Sequence, residues 1–216
     1  MGALVWLASY PKSGNTWMRT FLHNLFQNGS KPVDLNKLDD FCLGVSHSFW
    51  YRKYTSTPLG ELSPEEIAKY RPLVQADMTH VFPDSVFVKT HHFLGEHDGV
   101  GLHNMEVTAG GIYIVRNPLD VVLSMVPHFG VPIDDAISVM ANEAAGTDHT
   151  NNHVPEHYGS WSTNVRSWTQ NPNPQLLVLR YEDMLAKPRT SFKRVANFLG
   201  LQPPAERLEK AIRFSS

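Results

Sequence analysis

The chain has 216 residues, of which 42% are hydrophobic and 19% are charged, and its formal net charge is −2. These values predict one globular domain over residues 1–216, and they give no basic footprint for nucleic acid or for an anionic membrane surface. The only cysteine, Cys42, excludes an internal disulfide and a cysteine-rich zinc site, and it fits a reducing cytoplasm.

The first predicted elements are a strand and a helix joined by a tight loop. The apolar run at residues 3–8 is far shorter than a membrane span and lacks the basic flank of a signal peptide. It therefore predicts a buried strand. Apolar residues at helical spacing over 17–26 predict an amphipathic helix, which we expect to end near Gly29.

The loop between them, residues 10–17 (YPKSGNTW), carries the chemistry of an anion site. Such a loop aims backbone N–H groups and a helix N-terminus at one point. Gly14 allows close approach of an anion, Lys12 adds positive charge, and Ser13 and Thr16 add hydroxyl donors. The alternative is an ordinary strand–turn–helix with a surface lysine.

An irregular, aromatic segment comes next. Residues 30–60 lack a clear period, and five aromatic residues lie between positions 41 and 54. They predict either a cover over a pocket or a satellite core under a long loop. Ser63, Pro64 and Glu66 then predict a capped helix that runs to about Met78.

A second buried strand, residues 86–90, leads into two histidines. Because side chains alternate along a strand, Lys89 and His91 share a face. Ligands of α/β sheets bind at the carboxyl ends of the strands, where these two residues would lie. The alternative is a pair of surface histidines.

A third strand, residues 111–115, ends at Arg116, and Pro118 begins a helix. Arg116 therefore leaves the strand tip, and Ser124 lies about two turns along the helix. The alternative role for Arg116 is a structural ion pair with Asp120.

Residues 127–160 are the hardest part of the chain to interpret. A helix is predicted over 133–145, and His149, His153 and His157 follow at four-residue spacing. Pro155 breaks any helix that would align them, so we favour a mobile loop near an acceptor pocket over a metal site.

The last third predicts a helix over 158–168, a strand over 175–179, and helices over 188–199 and 204–213. The segment Tyr181-Glu182-Asp183-Met184 follows the strand. No repeat or domain linker is evident.

Taken in order, these motifs resemble sulfotransferases that use 3′-phosphoadenosine 5′-phosphosulfate (PAPS). The first loop resembles the family's 5′-phosphosulfate loop, although the commonest family form has threonine where this chain has Asn15. Lys89-Thr90-His91 matches the segment that carries the catalytic base. Arg116 and Ser124 match the 3′-phosphate motif, and Tyr181 matches a tyrosine that contacts the adenine region.

The resemblance implies an α/β fold with a central parallel sheet flanked by helices, akin to P-loop nucleotide kinases. It implies sulfonate transfer from PAPS to a hydroxyl or amine of a small-molecule acceptor, without a metal. His91 would be the general base, Lys12 would neutralise the leaving phosphate, and Lys89 would assist. The remaining contacts with PAPS would come from residues 13–16, from Trp17 stacking on adenine, and from Ser215.

In one respect the chain departs from the family pattern. Relatives continue past residue 216 into an Arg-Lys-Gly segment that closes over the nucleotide, and nothing here matches it. We therefore expect a half-open adenosine site with Ser215 and Ser216 near it. A nucleotide kinase or NTPase and a non-catalytic nucleotide-binding module remain alternatives. The aromatic residues at 41–54 suggest an apolar or aromatic acceptor, and the oligomeric state is not predicted.

Overall fold

A computed structural model describes residues 2–215, and a parallel β-sheet forms its centre. The sheet strands are β1 (Ala3–Ser9), β2 (Cys42–Gly44), β3 (Ser85–Thr90), β6 (Thr108–Val115) and β7 (Leu176–Arg180). Their order is β2-β3-β1-β6-β7, and every neighbouring pair is parallel. A small antiparallel pair, β4 (Glu96–His97) and β5 (Val100–Gly101), stands apart. The predicted fold class is therefore confirmed.

Helices cover both faces of this sheet. They are α1 (Asn15–Gln27), α2 (Pro64–Met78), α3 (Pro118–Phe129), α4 (Ile133–Ala141), α5 (Trp161–Thr169), α6 (Tyr181–Ala186), α7 (Pro188–Phe198) and α8 (Ala205–Ser215). Side-chain alternation along β1 divides the core: Val5 and Leu7 pack against α1, α7 and α8, whereas Leu4 and Trp6 pack against α2 and α5.

The register brings the carboxyl ends of four strands to one edge. Ala8 of β1 lies beside Thr90 of β3, and Ser9 lies beside Ile114 of β6. Val115 in turn lies beside Arg180, the last residue of β7. The segments that follow these strands therefore emerge together, as expected for a ligand site in an α/β fold.

Several helix ends differ from the prediction. Helix α1 ends at Gln27 because Asn28, not Gly29, takes the left-handed conformation that caps it. Helix α4 ends at Ala141, short of residue 145, because Asn142 is extended. Helix α5 begins at Trp161 because the Ser160 hydroxyl caps its first turn. The capping box of Ser63 and Glu66 is confirmed.

The segment over 30–60 is more ordered than predicted. It contributes the edge strand β2 and three 3₁₀ turns, Leu35–Asp40, Ser48–Lys53 and Leu59–Glu61. Four of its five aromatic residues pack against the core: Tyr51 is buried, and Phe41 stacks on Phe87 of β3, whereas Phe49 is 49% exposed. None of the five lines the large cavity described below, which favours the satellite-core interpretation over the pocket-cover one.

Candidate functional site

The loop after β1 has an unusual backbone. Lys12 has φ 66° and Gly14, the N-cap of α1, has φ 104°. A Cβ on Gly14 would lie 2.7 Å from Cδ2 of Tyr181, so glycine is required there for close packing as well as for conformation. Left-handed residues in a short loop turn successive N–H groups toward one point, which suits an anion at the start of α1.

Polar groups on this loop divide into two kinds. The Asn15 side chain points inward and donates to Leu7 O at 2.8 Å and to Ser9 Oγ at 3.3 Å. Its amide nitrogen thus ties the helix start to β1. The contact of Asn15 with PAPS stays a prediction, and it would be made by the backbone N–H. By contrast, Ser13 Oγ and Trp17 Nε1 are buried without a hydrogen-bond partner in the described part of the chain.

Arg116, which directly follows β6, contacts this loop. Its Nη1 donates to Lys12 O at 2.9 Å, and its guanidinium lies 4.4 Å from the ring centre of Tyr181. No ion pair joins Arg116 to Asp120 among the described residues. Burial, and then the nearby Arg116 charge, lower the pKa of Lys12 below its ordinary value. Two cations are therefore held next to each other at the loop.

One cavity of about 790 Å³ brings most of the predicted residues together, and we call it the first cavity. Ten of the twelve predicted residues line it: Lys12, Gly14, Asn15, Thr16, Trp17, Lys89, His91, Arg116, Tyr181 and Ser215. Ser13 and Ser124 are not part of this lining. Ser216 lies outside the described residues.

His91 directly follows β3 and is half-buried. Its Nδ1 lies 2.7 Å from Ser9 O, and a carbonyl oxygen only accepts, so Nδ1 carries the proton and donates. Burial, with a smaller effect of the Lys89 charge, lowers the pKa of His91 to about 4, while Glu156 opposes the shift. The imidazole is thus neutral near pH 7, and its Nε2 keeps a lone pair that can accept a proton.

Glu156 is the residue that the sequence interpretation missed. Its side chain is 3% exposed, its Oε1 lies 2.9 Å from Lys89 Nζ, and its Oε2 accepts from the backbone N–H of His91. Burial alone would raise the pKa of Glu156, but Lys89 and the neighbouring histidines hold it well below the usual range. One carboxylate therefore holds both the Lys89 ammonium group and the backbone of His91.

His92, the next residue, faces away from the cavity. It is 2% exposed, and its Nδ1 accepts from the backbone N–H of His157 at 2.9 Å. The three histidines of the loop also turn to different neighbours: His149 to Leu59 O, His153 to His47, and His157 to His97. Within residues 2–215, no three histidine, cysteine or acidic side chains converge in a way that could hold a metal ion.

The sequence model of the sulfotransferase domain family matches residues 3–216. The chain belongs to the sulfotransferase family. Sulfotransferase 1E1 of Bos taurus is 26% identical over 97% of this chain and 63% of the relative. A 3-alpha-hydroxysteroid sulfotransferase of Cavia porcellus is 24% identical over 96% of this chain and 62% of the relative. The chain thus spans less than two thirds of the length of these curated relatives.

Solved structures share the fold of this chain. Mouse sulfotransferase SULT7A1 complexed with PAP has a TM-score of 0.60 at 22% identity, covering 99% of this chain and 64% of that chain. Retinol dehydratase in complex with androsterone and the inactive cofactor PAP has a TM-score of 0.63 at 20% identity, with the same coverage. Family membership favours the sulfotransferase interpretation over the nucleotide-kinase alternative.

Within residues 2–215, no helix is both long enough and apolar enough to cross a bilayer.

Proposed function

We propose that this sulfotransferase transfers the sulfonate group of PAPS to a hydroxyl or amine of a small-molecule acceptor. The observation that carries the proposal is the hydrogen bond of His91 Nδ1 to Ser9 O, in a cavity that His91 shares with Lys12 and Arg116. A neutral imidazole held by one nitrogen keeps the other available for the proton of an attacking group.

The residues at the loop fit a phosphosulfate donor. Ser13 Oγ, Trp17 Nε1 and Arg116 Nε are buried polar atoms without a partner among the described residues. Buried donors left unpaired cost about 1–3 kcal/mol each, and anionic oxygens are strong acceptors for them. The structural neighbours named above, which were solved with PAP, add support by likeness of fold.

His91 is the proposed general base. Its Nε2 would take the proton of the acceptor hydroxyl or amine as the new bond to sulfur forms. The anchored Nδ1 fixes the plane of the ring, so no rearrangement is needed when the proton arrives. When bound, PAPS supplies an activated sulfonate and a phosphate leaving group, with the in-line geometry of phosphoryl transfer.

Positive charge at two points would stabilise the transfer. Lys12 lies on the loop and would neutralise charge that grows on the leaving phosphate. Lys89 lies on the β3 side of the cavity, where Glu156 holds its ammonium group. These lysines would supply the positive charge for the transfer, so the proposed reaction needs no divalent metal.

The nucleotide would lie along the loop side of the first cavity. Arg116 would pair with the 3′-phosphate through its guanidinium fork. Tyr181, Trp17 and Ser215 line the same cavity and would contact the adenosine. Ser124 is not part of that lining, and its bond to the 3′-phosphate stays a prediction.

The test is a transfer assay with PAPS whose sulfur carries a heavy isotope. Acceptors are screened by mass spectrometry, with parallel reactions that contain ATP and magnesium, and with a chelator in the PAPS reactions. We expect a labelled sulfonate on the acceptor only with PAPS, insensitive to the chelator. PAP binding without transfer to any acceptor would indicate a non-catalytic nucleotide-binding module instead.

A further inference from the structure

A second cavity, of about 440 Å³, adjoins the first. The two share Lys89 and Thr147 in their linings. The remaining residues around the second cavity are Arg19, Asp39, Gly44, Ser46, His47, Asp148, Thr150, His153 and Glu156. Its volume lies within the range of sites for small molecules. A ligand seated there would thus lie next to the ammonium group of Lys89, at the border of the first cavity.

Apart from Gly44, the residues that line the second cavity all carry a polar group on the side chain, while carbon atoms make up most of its exposed surface. Lys89 pairs with Glu156, and Arg19 pairs with Asp39. The imidazoles of His47 and His153 lie 5.0 Å apart. No carbocyclic aromatic ring is among its lining residues. A steroid or phenol ring placed here would strip water from these polar groups without replacing their hydrogen bonds, which is unfavourable.

The residues that line the second cavity carry a net negative charge. Two basic side chains face three acidic ones, so the lining carries one net negative charge when histidine is counted as neutral. Burial, the largest influence, lowers the pKa of His47, which favours its neutral form. Asp148 is exposed and forms no ion pair within residues 2–215. Its carboxylate is the one charge of the lining that remains available to a cationic ligand.

We propose that the second cavity seats the acceptor and selects a small polyhydroxylated molecule that carries an ammonium group. The proposal rests on the proposed function, because the acceptor's reacting hydroxyl must extend past Lys89 to His91. The hydroxyls of the acceptor would pair with Ser46, Thr150 and the imidazoles, and the ammonium group would pair with Asp148. It differs from the apolar or aromatic acceptor that the sequence suggested, and the experiment below compares the two.

The first experiment uses three acceptors that share one polyol chain: N-methylglucamine with an ammonium group, neutral sorbitol, and gluconate with a carboxylate. Binding to the protein in the presence of PAP is measured by saturation-transfer NMR, with 4-nitrophenol and androsterone as apolar comparisons. Transfer from PAPS to each compound is measured separately. We expect N-methylglucamine to bind best, gluconate to bind worst among the polyols, and transfer to follow that order.

Two variants of Asp148 sharpen the assignment. Asp148→Asn should lower the preference for N-methylglucamine over sorbitol by about threefold, the size expected for an exposed charge pair. Asp148→Lys should reverse the order of N-methylglucamine and gluconate. The matched controls are Asp135→Asn and Asp135→Lys, which change an exposed carboxylate on α4 away from either cavity.

The outcomes separate the inference from the function on which it rests. Transfer to 4-nitrophenol or androsterone, but to none of the polyols, would keep the proposed function and overturn the inference. An unchanged acceptor order in both Asp148 variants would overturn it as well. Binding in the expected order without transfer to any compound would overturn the proposed function, and with it the acceptor role of the cavity.

Discussion

The two sides of the first cavity differ in how their polar groups are satisfied. On the β3 side, Glu156 bonds to Lys89 and to the backbone of His91, and the His91 ring bonds to Ser9 O. On the loop side, Ser13 and Arg116 each keep a buried polar atom without a partner in the described part of the chain. We call these the closed side and the open side.

The difference indicates which groups are positioned in advance. A completed polar network holds its members in place without a ligand, whereas buried unpaired donors are costly and gain when a ligand pairs with them. The closed side therefore suits a base that must be aligned before the acceptor arrives. The open side suits capture of an anionic nucleotide. Substitutions on the closed side should change turnover, and those on the open side should also change nucleotide affinity.

The largest expected effect follows removal of the base. His91→Ala should lower kcat by about 10²–10⁴-fold, the usual contribution of a general base, while the Kd of PAP stays unchanged. Initial rates and calorimetry measure the two quantities. His80→Ala, an exposed histidine outside both cavities, is the matched control.

His92→Ala tests the division between the two adjacent histidines. Because His92 is buried and bonds to the backbone N–H of His157, its loss should lower stability, with a milder effect on kcat per folded molecule. A larger loss of kcat in His92→Ala than in His91→Ala would contradict the assignment of the base.

Lys12→Ala should come next and tests whether the open side also contributes to the chemical step. Charge on the leaving phosphate grows only in the transition state, so kcat should fall by about 10²–10³-fold, and the Kd of PAP should change less. Alanine keeps the Cβ at this left-handed position, so backbone strain is unchanged. Lys31→Ala, an exposed lysine, is the control. Weaker PAP binding with normal kcat would limit Lys12 to binding.

Arg116→Ala should have a smaller, selective effect on affinity. Loss of a charge-assisted bond, about 1.5–3 kcal/mol, should weaken PAP roughly ten- to a hundredfold more than adenosine 5′-phosphate, which lacks the 3′-phosphate. The latter should also weaken somewhat, because Arg116 holds Lys12 O and covers Tyr181. Calorimetry on both nucleotides, with the exposed Arg180→Ala as control, measures the difference. Equal losses would make Arg116 a structural residue.

Sequence reasoning succeeded where structure depends on local order. The β1–loop–α1 unit and the capping box of Ser63 follow from residues within a few positions of one another, and the structure confirms both as elements. The parallel sheet follows from the alternation of strands and helices, and it is confirmed by the strand order. The roles proposed for Lys12, His91 and Arg116 remain predictions.

Long-range pairing explains what the sequence interpretation missed. Glu156 lies 65 residues from His91 in the chain, within an irregular segment that gives no periodic signal. The inward turn of Asn15 could not be predicted either, because it depends on the carbonyl of Leu7 and the hydroxyl of Ser9. Ser124 has the expected spacing on α3, yet the helix does not place it in the first cavity.

The last expected effect is on stability rather than on turnover or affinity, and it concerns acid and the residues behind the closed side. His103 is buried against Trp6 and Trp168 and lies 5.9 Å from the ring of His92; neither of its ring nitrogens has a partner among the described residues. Burial, and then the Arg71 charge, lower the pKa of His103 to about 3, while Glu156 opposes the shift. The unfolded chain takes up a proton near pH 6.5, its ordinary pKa, and the folded chain does not. The free energy of unfolding should therefore be highest above pH 6.5 and should fall as the pH decreases toward 3, by up to about 1.4 kcal/mol per pH unit for this group.

His103→Phe keeps a ring between the two tryptophans and removes the titration, so it should reduce the dependence of the unfolding free energy on pH by the contribution of one proton. Urea unfolding at a series of pH values measures the slope, and His80→Phe, which changes an exposed histidine, is the control. Equal slopes for the wild type and His103→Phe would show that His103 is not kept neutral by its surroundings, and that acid weakens the closed side through other groups.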